Sequence, residues 1–112
     1  AGEVARVTGY DRVMVYRFDD ECNGEVIAER RTRELEPYLG LRYPASDIPA
    51  IARRLLEVNV VRVIADVHAP GATLIADDGW AKAPLDLSRA RLRAVSPVHI
   101  EYLRNMGVGA SM

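Results

Sequence analysis

The sequence has one cysteine, Cys22, and only two histidines, His68 and His99. A lone cysteine excludes an internal disulfide and the cysteine-rich metal sites, and it fits a reducing, cytoplasmic setting. No Cys/His spacing supports a metal centre. No apolar run approaches the roughly 20 residues of a membrane span. Ala1 to Val7 lack the charged-then-apolar layout of a secretion signal. Neither sign of charge dominates, since 15 Lys and Arg stand against 16 Asp and Glu. The net charge of −1 therefore predicts no general attraction to nucleic acid or to an anionic membrane. A glycine-rich phosphate loop is missing, as is a basic stripe interleaved with aromatics. What is present is globular: 49% of the 112 residues are hydrophobic and 28% are charged, enough for one domain or part of one.

Ala1 to Val7 reads as the end of a helix closed by Gly9. Arg12 to Phe18 is rich in β-formers and reads as a strand, with Val13 to Tyr16 suited to burial on both faces. The turn Asp19 to Gly24 leads into Glu25 to Arg30, an antiparallel partner. Arg31 to Leu41, with Pro37 and Gly40, reads as a loop or short helix. From Pro49 the apolar spacing becomes helical, with Ile51, Leu55, Leu56 and Val58 on one face, and Asn59 ends it. Val60 to Val67 reads as a strand. His68 to Ser88 is a long irregular stretch, and a loop of that length in a small domain usually has a job. Ser96 is a good N-cap, Pro97 suits the first helical position, and Gly107 suits the C-terminal cap. Val108 to Met112 opens as another strand. The order predicts an α+β fold, an antiparallel sheet with helices beside it.

The stretch Tyr43-Pro44-Ala45-Ser46-Asp47-Ile48-Pro49-Ala50 is the most constrained in the chain. Pro44 and Pro49 restrict Tyr43 and Ile48 to extended backbone, which narrows the orientations of the peptides between them. Asp47 there can cap the helix that follows, or its carbonyl can be aimed into a pocket. His99 lies one turn inside the Ser96 helix, with Tyr102 at i+3 on the same face. It is either a packed, hydrogen-bonded residue or a ligand-facing one. Arg62 and Arg93 can form a carboxylate clamp, the other reading being two surface arginines among many. A catalytic Asp47–His99 pair lacks an evident nucleophile and oxyanion loop. These residues point to a binding or sensor domain with a pocket between the Asp47 turn and the His99 helix.

Three segments in order, Gly9 to Phe18, Tyr43 to Pro49 and Ser96 to Val108, resemble the chromophore-binding GAF domain of bacteriophytochromes, and the likeness runs over essentially the whole chain. The resemblance implies a GAF-type antiparallel sheet flanked by helices, lacking here its C-terminal strands and final helix, so that residues 1–112 are a domain portion incomplete at both ends. It implies a linear tetrapyrrole, biliverdin, that photoisomerises under red and far-red light. By the same resemblance, the Asp47 backbone carbonyl accepts from pyrrole N–H groups, with its carboxylate left for a downstream tongue, and His99 packs near the inner rings. Arg62 and Arg93 grip the propionates, and Ser96 and Ser111 assist. Tyr16, Tyr43 and Tyr102 line the D-ring, and Ile48 and Pro49 pack on the chromophore plane. The His68 to Ser88 loop resembles the lasso threaded by an upstream segment.

Two departures from the family pattern bear on chemistry. Val98 stands where plant and cyanobacterial relatives carry the attachment cysteine, so no covalent bond is expected within this chain, and Cys22 reads as incidental. Leu56 stands where many relatives carry a tyrosine near a propionate. The resemblance further implies an N-terminal PAS segment bearing the attachment cysteine, a downstream PHY-type domain, a homodimer, and an output that is typically a histidine kinase. The chain itself reads as a sensor portion, not an enzyme. The competing reading is a GAF domain that binds a cyclic nucleotide or only dimerises.

Overall fold

The structure, a computed structural model, describes residues 1–75, 85–90 and 93–112. The chain divides into two compact units, Ala1–Ala50 and Ile51–Met112. The first unit opens with helix α1 (Gly2–Thr8), closed as its sequence predicts: Gly9 takes a left-handed φ of 70° and its N–H reaches the Ala5 carbonyl at 2.9 Å. An L side chain would be strained in that conformation.

Strands β1 (Arg12–Phe18) and β2 (Gly24–Arg31) pair antiparallel, and β2 pairs antiparallel with the short β3 (Arg42–Tyr43), giving the order β1-β2-β3. The predicted hairpin is therefore present, and α1 packs against both of its strands. A register shift between Val15 and Tyr16 leaves Ile27 as the extra residue on β2. Such a bulge sharpens the local twist. Val26 is the fully buried side chain of this unit, at 1% exposure. Burial on both faces of Val13 to Tyr16 is not what forms: Met14 and Val15 are exposed. The element packed on this strand is helix α1, and that leaves Met14 and Val15, on opposite faces, open to solvent.

The hairpin turn is organised by Asp19. Its carboxylate accepts from the Glu21 and Asn23 amides at 3.0 and 2.8 Å and from the Asn23 side-chain amide at 3.2 Å. The side-chain bond from Asn23, with the two backbone amides, holds the Asp19 pKa below its usual range. The loop from Thr32 to Leu41 is tied down by Glu29, whose side chain is only 4% exposed. One Glu29 oxygen meets the Arg12 guanidinium at 2.8 Å, and the other accepts the Tyr38 and Leu39 amides at 3.0 and 3.1 Å. Arg12 also donates to the Glu36 carbonyl at 2.8 Å and stacks on the Tyr38 ring, 3.7 Å from its centroid.

The second unit begins one residue inside helix α2 (Ala50–Val58), whose bounds agree with the predicted periodicity. Asn59 ends it, donating from its backbone and side chain to the Leu55 carbonyl and from the side chain to Ser88. The predicted strand over Val60 to Val67 reduces to one bridge. Ile64 and Ser111 exchange both backbone bonds, but the next bond runs from Val67 to Gly109. Three residues on one side thus oppose two on the other, which breaks the ladder. The Asp66 carboxylate then accepts the His68 amide at 2.7 Å and turns the chain away.

Helix α3 (Pro97–Asn105) starts with Pro97 at its first positions and ends in a Schellman motif. Gly107, at φ 70°, donates to Arg104, and Val108 donates to Leu103, both at 2.9 Å. Leu103, Ile64 and Val67 form the buried cluster of this unit, with Val95, Ile100 and Val108 packed on it. The described parts of the long loop are irregular, and its 76–84 portion lies outside the described residues. No described helix is long and apolar enough to cross a membrane.

Removing Glu29 strands the Arg12 charge and two amides. Glu29→Ala is expected to lower stability by about 3–5 kcal/mol, measured by urea unfolding. The more exposed Glu25, which pairs with Arg17 and Arg42, is the control, and Glu25→Ala should cost no more than about 1 kcal/mol.

Candidate functional site

Five of the predicted site residues lie in the first unit: Tyr16, Tyr43, Asp47, Ile48 and Pro49. Pro44 is extended, at φ −66° and ψ 156°, and a single 3₁₀ turn covers Ala45–Asp47, closed by the Asp47 amide on the Pro44 carbonyl at 3.0 Å. Ile48 returns to extended backbone, at φ −120° and ψ 94°, as a residue before proline must. Asp47 is therefore not a cap of α2: Ile48 and Pro49 stand between it and Ala50. Its amide is spent on the turn, whereas no described residue donates to its carbonyl. The turn is fastened to the hairpin by the Ala45 amide, which donates to the Asn23 side-chain oxygen at 3.1 Å.

Tyr16 and Tyr43 come together on one face of the sheet, ring centroids 6.0 Å apart. Phe18 joins them edge-on to Tyr16 at 5.1 Å. Burial, reinforced by the Asp47 carboxylate and by Tyr43, pushes the Tyr16 pKa up. Burial likewise raises Tyr43, with Tyr38 and Asp47 adding to it against Arg12. Both phenols therefore stay protonated and neutral at physiological pH and can donate a hydrogen bond. Phe18 was not legible as a site residue from motifs, although its i+2 spacing from Tyr16 on a strand puts it on the same face.

The other six predicted residues, Arg62, Arg93, Ser96, His99, Tyr102 and Ser111, lie in the second unit. Arg62 and Arg93 are half-buried and close enough that Arg93, after burial, pushes the Arg62 pKa down. Some arginines are matched with acids, Arg6 with Glu3, Arg12 with Glu29, Arg17 and Arg42 with Glu25, whereas others, such as Arg30 and Arg104, donate to backbone carbonyls. Among the described residues Arg62 and Arg93 have no such acid. Partial desolvation of the His99 imidazole, then the Arg62 charge, lower the His99 pKa, although the residue is exposed at the surface overall. His99 is accordingly neutral near pH 7, with one ring nitrogen a donor and the other an acceptor.

Ser96 sits at the N-cap position of α3, yet its hydroxyl makes no cap bond, so the expected capping does not form. Ser111 engages Ile64 through its backbone. Tyr102 is exposed on α3, one turn beyond His99. Arg62 and Arg93 form a positively charged, partly desolvated pair, a charge arrangement suited to an anion. Among the described residues no group of three His, Cys, Asp or Glu side chains could hold a metal ion.

No family model matches the chain. Individual proteins do. It is 55% identical over its whole length to cyanobacterial phytochrome B of Nostoc sp. and 57% identical over 98% of its length to a bacteriophytochrome of Pseudomonas aeruginosa. It spans about 15% of the length of each of these curated relatives. Among solved structures, the chromophore-binding domain of Stigmatella aurantiaca phytochrome P1 superposes with a TM-score of 0.91 at 52% identity, over 97% of this chain and 36% of that one. A bacteriophytochrome from R. palustris gives 0.90 at 44% identity, over 98% of this chain and 22% of its own.

The His99–Arg62 proximity has a measurable sign. Arg62→Gln should move the His99 titration, followed by NMR, up toward the ordinary value of about 6.5. With His99 lowered in the folded state, the unfolded chain takes up its proton first as pH falls. This group therefore makes no difference well above pH 6.5 and weakens folding as pH drops through that value. The loss should be smaller in Arg62→Gln.

Proposed function

Because the chain belongs to the phytochrome family, as part of its chromophore-binding domain, we propose that it holds biliverdin and serves as a red and far-red light sensor. The observation that carries this reading is the Arg62–Arg93 pair, two neighbouring guanidinium groups without an acid among the described residues. Like charges are costly to bring together unless a ligand anion neutralises them. A linear tetrapyrrole has two propionates, and each guanidinium can fork onto one carboxylate. Ser96 and Ser111 add hydroxyl donors for the same anions. Biliverdin supplies a bond that isomerises on absorbing light.

The remaining roles follow from what each side chain can donate or accept. The Asp47 carbonyl, unspent within the described residues, accepts from pyrrole N–H groups. His99, neutral near pH 7, orders a water near the inner rings and tunes where their proton resides. Tyr16 and Tyr43, as protonated phenols, border the D-ring together with Tyr102, and Ile48 and Pro49 cover the ring plane. The Asp47 carboxylate is left free to signal to a tongue from a following domain. Val98 precedes His99, so no thioether forms there. Attachment is through a cysteine of an upstream PAS segment, with a PHY-type domain downstream, in a cytoplasmic homodimer whose output is a histidine kinase. That the S. aurantiaca photosensory core module is only 22% covered by this chain supports such flanking parts.

The first test is spectroscopic. Biliverdin added to the full-length protein should give a red-shifted absorption band that photoconverts, and no such band would refute the reading. Arg62→Ala or Arg93→Ala should weaken biliverdin binding about ten- to a hundredfold, the usual effect of removing one charged hydrogen-bond donor from a carboxylate. Asp47→Ala should retain much of the binding but impair photoconversion, and normal photocycling in that variant would remove its assigned role.

A further inference from the structure

Gly24 is buried at the start of β2, paired with Phe18 of β1 on one side and with Tyr43 of β3 on the other. Its φ is not among the positive values, which the described glycines Gly9, Gly40 and Gly107 adopt. The backbone at Gly24 would thus accept an L residue, and conformational freedom does not explain the glycine. Space does. A Cβ built on Gly24 falls inside the Tyr16 phenol, overlapping its Cζ, Oη and Cε1 atoms. The phenol end of Tyr16 thus fills the space over the glycine that a side chain would take, with Phe18 edge-on to the ring and Tyr43 near it.

We propose that Gly24 is a positioning residue for the chromophore site: its bare backbone is the seat that holds the Tyr16 ring in place. The clash atoms are the far end of a side chain, so a methyl group at position 24 would be accommodated by swinging the phenol off its seat. The sheet would survive that move. The hydroxyl would leave the neighbourhood of Tyr43 and Asp47, which now raise its pKa. Because a tyrosine has only two soft torsions, a displaced ring has few alternative positions, so the phenol changes place instead of adjusting slightly.

The functional half of this inference rests on the light-sensing reading, so the test separates the two. In the apoprotein, Gly24→Ala should lower the melting temperature when Tyr16 is present. In a Tyr16→Ala background the same change should raise it, because alanine without a clash is the better strand residue. Loss of that sign reversal overturns the seat. In the full-length protein with biliverdin, Gly24→Ala should take up pigment yet reach at most half the photoconverted fraction of the unaltered protein. Normal photoconversion in Gly24→Ala overturns the positioning role. Absence of pigment uptake by the unaltered protein overturns the light-sensing reading alone, and the melting-temperature reversal then still supports the seat.

Discussion

The Glu29 carboxylate takes the Arg12 guanidinium on one oxygen and the Tyr38 and Leu39 amides on the other. Three otherwise independent pieces meet there: β1, β2 and the loop beyond β2, whose Tyr38 ring lies under Arg12. That loop has no hydrogen-bond ladder of its own, so its course is set by these bonds and by the Gly40 and Val26 amides on the Val26 and Leu41 carbonyls. Only because the loop is held does β3 arrive beside β2, and Tyr43 and the proline-bounded turn follow from β3. A buried ion pair contributes little net stability against its desolvation cost. Its role here is geometric: it determines where the next segment begins.

Asn23 does the complementary task from the hairpin end. It completes the Asp19 turn with its amide nitrogen and holds Ala45 with its oxygen. The Asp47 turn is thereby fixed at two places far apart in sequence, and the two prolines remove most of the freedom left between them. In the second unit the restraint is of a different kind. The Schellman end of α3 and the Ile64–Ser111 bridge fix the backbone, while the Arg62–Arg93 patch is held against its own repulsion.

Much of this was legible in the sequence because it depends on local rules. β-formers on both sides of an Asp-rich turn give the hairpin, proline and glycine punctuate α3, and Gly9 ends α1. The Val60–Val67 run misled because its apolar composition says nothing about register, and the bulge before Val67 is a property of the pairing, not of the residues. Ser96 occupied its expected place without its expected bond. Arg12 and Glu29 carried no signal at all, since charged residues alternating along a strand look like a solvated face until the loop that covers them is known. The motif residues fell into two sets, one in each unit, and only the likeness to a family joined them to one ligand.

The Arg62–Arg93 patch has a consequence for how the protein is assembled in the cell. Two guanidinium groups that feel one another's charge make an unfavourable term, which an anion beside them relieves. Whatever dianion occupies the patch stabilises the folded form by mass action. On the light-sensing reading proposed above, pigment loading and maturation of this unit are one thermodynamic process, and the supply of pigment governs how much of the protein survives quality control, before any light is absorbed.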